Sequence, residues 1–140
     1  MPGEQPAMPG IADQLAIRDL SWRFSDAVNR NDPTAFLALW HIDGHWRSDP
    51  PANLDARGHQ ALSTLFANLM DLWTMFHQSA TPGPAAIEGD RATASAYVQE
   101  TGLAKTGGSL RNLGRYDDVF IRTHDGWRFL ERSFNTIHVE

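Results

Sequence analysis

The sequence predicts an α+β fold, with three helices packed on one face of a sheet of long antiparallel strands. Three observations carry this. Apolar residues recur at i, i+3 and i+4 through the first half of the chain. From Arg91 onward they alternate with polar ones instead. Three turn signals, Glu88-Gly89-Asp90, Thr106-Gly107-Gly108 and His124-Asp125-Gly126, then cut the second half into hairpins.

Residues 1–10 hold three Pro and two Gly with little to bury, so a disordered tail is expected there and a single domain over residues 11–140. Helix one spans Ile11–Arg30, with Leu20, Phe24 and Val28 on one stripe and Ile17 beside it. Trp22, Ser25, Asp26 and Asn29 fall on an adjoining face. Asn31-Asp32-Pro33 stops this helix and starts the next, Asp32 as N-cap and Pro33 as first helical residue. Helix two covers residues 33–40 and is apolar through Phe36, Leu37, Leu39 and Trp40. Residues 41–44 turn into a brief strand at 45–48, and residues 49–57, with two Pro, form a loop. Helix three begins at Gly58 and carries Leu62, Leu65, Phe66, Leu69, Leu72, Trp73 and Phe76 on one stripe. It stops at His77, because Pro82, Gly83 and Pro84 forbid further helix. Strands follow at 85–87, 91–105, Ser109–Thr123 and 127–139. On the first long strand Ala92, Ala94, Ala96 and Val98 share a face, which extends to Glu100. A carboxylate there lies either in water at the sheet's end or inside a cavity.

With 140 residues the chain can bury a real core, and seven Phe, five Trp and two Tyr can line a cavity as well as fill a centre. A net charge of −5 with scattered Lys and Arg argues against nucleic acid or an anionic membrane as partner. The absence of cysteine excludes disulfides, thiolate catalysis and cysteine metal sites. No segment reaches the roughly 18 apolar residues of a membrane span. The opening MPGEQPAMPG has neither the basic start nor the apolar run of a secretory signal, so a soluble cytoplasmic protein is expected.

No local motif settles the chemistry: the phosphate-cradling glycine loop, the Gly-x-Ser-x-Gly elbow and His-Glu-x-x-His are all missing. His41-x-Asp43-x-His45 has ligand-type residues across a turn without a convincing further ligand, so no metal site is expected. Three groups remain. His77, a residue type suited to general base work, stands where helix gives way to extended chain, either capping the helix or pointing into what the strands enclose. Arg132 lies mid-strand among apolar residues, where its charge needs a ligand, an outer face, or an ion pair with Glu131, Asp117 or Asp118. Asn29 is a polar end on an apolar helix, a C-cap or a site residue.

The segments AIRDLSWRFSDAVNRNDPTAFLALWHIDGHW and GRYDDVFIRTHDGWRFLER, the GHQAL helix start, His77 followed by Thr81, and the Glu88-Gly89-Asp90 turn together carry a family resemblance. Over residues 11–138 the chain resembles the SnoaL-like branch of the nuclear transport factor two-like, or ketosteroid isomerase-like, superfamily. The resemblance implies a cone: three N-terminal helices closing a curved antiparallel sheet around an apolar pocket, often as a homodimer. In the dehydratase and dehydrochlorinase lines an Asp near the end of helix one orients a proton-abstracting His after helix three. Those positions fall on Asn29 and His77, and a leaving-group Arg falls on Arg132. An Asn fixes an imidazole tautomer but gives no charge, and the same change in a serine protease triad costs about 10⁴ in rate. Glu100 and Asp26 are the candidates for a replacement carboxylate.

The function this implies is a small-molecule lyase or isomerase of dehydratase, elimination or cyclase type, acting on an apolar ring-bearing substrate without cofactor. His77 would be the general base, Asn29 its orienting partner and Arg132 the group that assists departure. Phe24, Trp40, Trp46, Val98 and Phe134 would line the pocket. The alternatives are a non-catalytic binding or accessory protein, favoured by the Asn, and an epoxide-type hydrolase.

Overall fold

Helix α1 (Ile11–Arg30) opens the described part of the computed structural model, which covers residues 10–140. The expectation for the tail therefore lies outside the described residues, apart from Gly10. Helix α1 buries Ile17, Leu20, Phe24, Ala27 and Val28, the stripe its spacing demands. Asn31 ends it in the left-handed conformation (φ 50°), donating its backbone N–H to Val28 O at 3.1 Å. Helix α2 (Pro33–Leu37) starts as its sequence requires: Pro33 takes the first position and the Asp32 carboxylate accepts from Ala35 N–H at 3.0 Å.

Strands β1 (Trp40–Ser48) and β2 (Asp55–Arg57) come next, before helix α3 (His59–Met70). The remaining strands are β3 (Trp73–Pro82), β4 (Ala86–Glu88), β5 (Arg91–Ala104), β6 (Ser109–Thr123) and β7 (Gly126–Val139). They form one curved, unclosed seven-stranded sheet in the order β2-β1-β7-β6-β5-β3, with β4 also paired to β5. The α+β class holds, with two corrections. The three helices do not all precede the sheet, since β1 and β2 intervene. Nor is the sheet wholly antiparallel, because β1 runs parallel to β7, with Trp46 opposite Arg132. A strand this early in the chain lies beside the last one, second from the sheet's edge.

Helix three is shorter than its apolar stripe suggests. It stops at Met70 with Asp71 as C-cap, and Leu72, Trp73 and Phe76 leave it. Trp73 and Phe76 belong to β3, where aromatic residues fit a pleated, half-buried surface better than a helix end does.

Phe24 is the hub of the core. Its ring meets those of Phe36, Trp40, Trp46, Tyr116 and Phe129 at centroid distances of 5.4 to 6.4 Å. Such offset and edge-on pairs add about 0.5–1.5 kcal/mol each beyond the burial of area.

Helix α1 is strapped to the sheet at its start. Both Arg122 Nη atoms donate to the Asp13 carboxylate at 2.9 Å, and Trp127 Nε1 donates to it at 3.0 Å. The Arg122 and Trp127 donors pull the Asp13 pKa from 3.8 to about 2. A depressed carboxylate pKa contributes stability that is present above the unfolded value and lost as pH falls through the folded one. Acid titration from pH 4 to pH 2 is therefore expected to release Trp127 and change its emission. Asp13→Asn should lose that transition; an unchanged emission profile would refute the strap.

Candidate functional site

A cavity of about 230 Å³ lies between α1, α3 and the inner face of the sheet. Phe24 and Val28 enter it from α1, Leu69 and Met70 from α3, Trp73 and Phe76 from β3, and Trp46, Tyr116 and Phe134 from β1, β6 and β7. Pro51, Ala52 and Leu54, between β1 and β2, border it as well. Against these apolar walls stand three polar side chains in one place: Gln78, Glu100 and Asn112.

Register brings the three together. Gln78 on β3 lies opposite Glu100 on β5, and Glu100 lies opposite Asn112 on β6, so they form one row across three strands. The alternation of β5 carries Glu100 onto the inner face with Ala96 and Val98, inside the cavity rather than in water. Glu100 Oε2 accepts from Gln78 Nε2 and Oε1 from Asn112 Nδ2, both at 2.9 Å. Ser25 Oγ of α1 donates to Gln78 Oε1 at 2.8 Å and so fixes which end of that amide faces the carboxylate. Burial pushes the Glu100 pKa up from its ordinary 4.5, and the two amide donors only partly offset this. Tyr116 Oη accepts from Trp46 Nε1 at 3.1 Å, leaving its own hydrogen to donate. Burial raises the Tyr116 pKa, so the phenol stays neutral.

His77 faces the other way. Its position on β3 is exposed, whereas its neighbour Gln78 is buried. This corrects the expectation that the imidazole enters the cavity. The cause is an irregularity in β3: Trp73 pairs with Ala104 but Met75 with Leu103, so two residues advance against one. The extra residue shifts the phase, turning Phe76, Gln78 and Ala80 inward and His77 outward.

Asn29 does not hold a ring. Its Nδ2 donates to Gln78 O at 2.8 Å, and its Oδ1 accepts from Gln78 N–H at 2.7 Å. The carboxamide thus mimics a strand against the open edge of β3. An acid could accept from that N–H but could not donate to the carbonyl, which is a physical reason for an amide here. Asn29→Asp is expected to cost about 1–3 kcal/mol in urea unfolding at pH 7. A loss under 0.5 kcal/mol would show that the edge does not need the donor.

The remaining expected residues divide. Phe24, Trp46 and Phe134 line the cavity. Trp40 and Val98 are buried in the core behind it and are not among the lining residues. Asp26 is exposed and pairs with Arg30 at 2.9 Å, so Glu100 alone remains as replacement carboxylate. Arg132 does not reach the cavity. It is buried under the floor, Nε to Asp118 Oδ1 at 2.8 Å and Nη2 to Asp118 Oδ2 at 3.1 Å, with Ser21 Oγ at 3.3 Å. Its guanidinium lies 3.7 Å from the Tyr116 ring centroid and 4.4 Å from that of Phe24, and so braces two cavity walls from behind.

Gln78, Asn112 and Tyr116 complete the site beyond the residues that the sequence marks. Asn112 was accessible by arithmetic, since the Thr106-Gly107-Gly108 turn pairs Leu103 with Ser109 and hence Glu100 with Asn112. Gln78 was not, because no sequence signal marks the extra residue in β3.

Gly114 sets the cavity's depth. A Cβ there would overlap the Phe134 ring, a cavity wall. Gly114→Ala is expected to push that ring inward and cost about 1–3 kcal/mol by urea unfolding. A neutral alanine would mean that Phe134 has room to move.

Among the described residues no group of three or more His, Cys, Asp or Glu is placed to hold a metal, and no helix is long and apolar enough to cross a membrane.

No curated protein matches the sequence significantly. Solved structures do. One is a Novosphingobium aromaticivorans protein provisionally named an aromatic ring hydroxylase, at 26% identity and a TM-score of 0.82, covering 98% of this chain and 95% of that one. A second protein of that organism, provisionally named a scytalone dehydratase, gives 16% identity and a TM-score of 0.84 over 94% and 88%. The hexachlorocyclohexane dehydrochlorinase LinA-type3 of Novosphingobium barchaimii gives 17% and 0.83 over 93% and 90%. At such identities the last two establish a common fold. The SnoaL-like domain model matches residues 10–133, nearly all of the described chain, and the protein belongs to that family.

Proposed function

We propose that the protein is a proton-transferring lyase or isomerase acting on a compact, apolar, ring-bearing molecule, with Glu100 as general base. The observation that carries this is a single carboxylate in a cavity with mostly apolar walls, its pKa raised above the ordinary value by burial. Ionised Glu100 would remove a proton from a carbon acid. The free Tyr116 O–H would donate to the oxyanion that develops. Returning the proton elsewhere gives an isomerase; loss of a neighbouring group gives a lyase. Two structural relatives bear names that denote eliminations, a dehydratase and a dehydrochlorinase, which agrees with this class. An apolar cavity of about 150 Å³ holds benzene. At about 230 Å³ this one has room for a further small ring or substituents.

The test uses 2-tetralone, a two-ring ketone with acidic carbon-bound hydrogens, in deuterated buffer. Loss of the proton NMR signal beside the carbonyl should be faster with protein than in buffer and should saturate with ketone. No acceleration over buffer would sink the reading.

A second reading, a binding protein of the same fold, is favoured by one feature: both Glu100 oxygens already accept amide hydrogen bonds. A probe that raises Tm equally in wild type and Glu100→Gln, without exchange, would favour it.

A further inference from the structure

The two amides that hold Glu100 are not equivalent. Gln78 is locked: its Oε1 accepts from Ser25 and its Nε2 donates to Glu100, so reversing it would break both bonds. Asn112 is held at one end only. Its Nδ2 donates to Glu100 Oε1, while its Oδ1 is buried with no hydrogen-bond partner. A buried acceptor without a donor is uncommon and calls for an explanation. When the base is ionised, a donor must face it. When it is protonated, its O–H needs an acceptor, and half a turn about the last Asn112 torsion supplies one.

We infer that the Asn112 carboxamide reverses when Glu100 takes a proton, which makes Asn112 a positioning residue serving both states of the base. The inference rests on the proton-transfer reading of the same site. In the ionised state Asn112 Nδ2–H donates to Oε1. In the protonated state the proton taken from the substrate sits on Oε1 and donates to Asn112 Oδ1, while Oε2 keeps accepting from Gln78 Nε2. When Glu100 returns the proton, the amide turns back. The two oxygens thereby acquire separate tasks. The carboxylate stays in place through the cycle because each form has a partner on either side.

The other ionisable groups around Glu100 do not substitute for this. Tyr116 on β6 stays neutral. Below it, Arg132 and Asp118 compensate each other. A shallow depression at the sheet's end, which Glu100 and Asn112 also border, holds Arg111, His138 and Glu140. There Glu140 lies 3.5 Å from Arg111 and 3.7 Å from His138, all three well exposed. From α1, the polar side chains on this side are Ser25 and Asn29, both bonded to Gln78.

The test is a titration of the ligand-free protein by NMR. The side-chain NH₂ resonances of Asn112, assigned by their loss in Asn112→Leu, should shift with the same midpoint as the Glu100 carboxyl carbon. Two near-isosteric variants then separate a fixed donor from a reversing one. Gln78→Met removes a donor that holds the ionised carboxylate more strongly than the protonated acid, and should raise the Glu100 midpoint by about one pH unit. Asn112→Leu removes a partner from both forms and should move it by less than half as much. A stationary Asn112 amide, or an Asn112→Leu shift as large as that of Gln78→Met, would overturn the inference. Should Asn112→Leu not fold, the wild-type protein decides through the cross-relaxation neighbours of the Asn112 NH₂ protons, assigned through bonds: they should change across the Glu100 midpoint if the amide reverses, and unchanged neighbours would overturn the inference. No turnover is involved, so failure here and failure of the 2-tetralone exchange are separate results.

Discussion

Glu100→Gln is expected to lower protein-catalysed exchange of 2-tetralone by about 10²–10⁴-fold, the usual contribution of a positioned general base. The same substitution should leave the fold as stable at neutral pH or more so. The sign follows from linkage. Burial raises the Glu100 pKa above its unfolded value, so its contribution to stability is fully present below that value. It is lost as pH rises through the folded pKa. Above the folded pKa the ionised group therefore burdens the fold, and a neutral amide removes the burden. Activity and stability should part company, which a merely disruptive change would not produce. In wild type the exchange rate should rise with pH, because the ionised form acts, and level off above a midpoint higher than the ordinary 4.5. His77→Ala, on the outer face, should exchange like wild type. A large loss in His77→Ala with a small one in Glu100→Gln would reverse the assignment of the base.

Arg132→Met is expected to be the most damaging single change to stability, by about 3–5 kcal/mol in urea unfolding at pH 7. Arg132 and Asp118 are both 1% exposed at the side chain, so neither charge has water to fall back on. Even with its partner present, Asp118 has a raised pKa, because burial outweighs the guanidinium's pull. Removing the guanidinium leaves a bare carboxylate in the core and takes away the cation stacked on Tyr116, Phe24 and Phe129. In the variant the raised Asp118 pKa makes stability greatest in acid and lets it fall as pH climbs. The deficit against wild type should therefore shrink below pH 4. Arg132→Met combined with Asp118→Leu should recover much of the loss, since an apolar pair does not need the compensation. A deficit under 1 kcal/mol would show that solvent reaches the pair.

The elements most legible in the sequence are those whose period and punctuation agree. Helix α1 and strands β5, β6 and β7 fall within a residue or so of their expected bounds, because alternation and Gly-bearing turns mark the same places. The Asp32-Pro33 helix start is equally local. The junction after α3 was not legible, for a specific reason. Leu62, Leu65, Phe66 and Leu69 repeat at helical spacing because a helix buries them, and Trp73 and Phe76 continue that spacing by coincidence from a strand. One unpaired residue in β3 then decided whether His77 or its neighbour entered the cavity. Glu100 was readable as either inside or at a wet end, and only long-range pairing distinguishes the two. Arg132 was readable as a charge in need of a partner; Asp118 lies directly across the strand pair from it.

The parallel seam between β1 and β7 joins segments separated by most of the chain's length. During translation β1 leaves the ribosome long before β7, its parallel neighbour, exists. Phe129, which closes the ring of aromatics around Phe24, arrives with that same late strand. The nascent chain therefore carries Trp40 and Trp46 covered by Phe24 and Phe36 but open on the side that Phe129 later closes, a state that invites chaperone capture. Folding should be slow and should wait on β7, as befits a topology dominated by distant pairings.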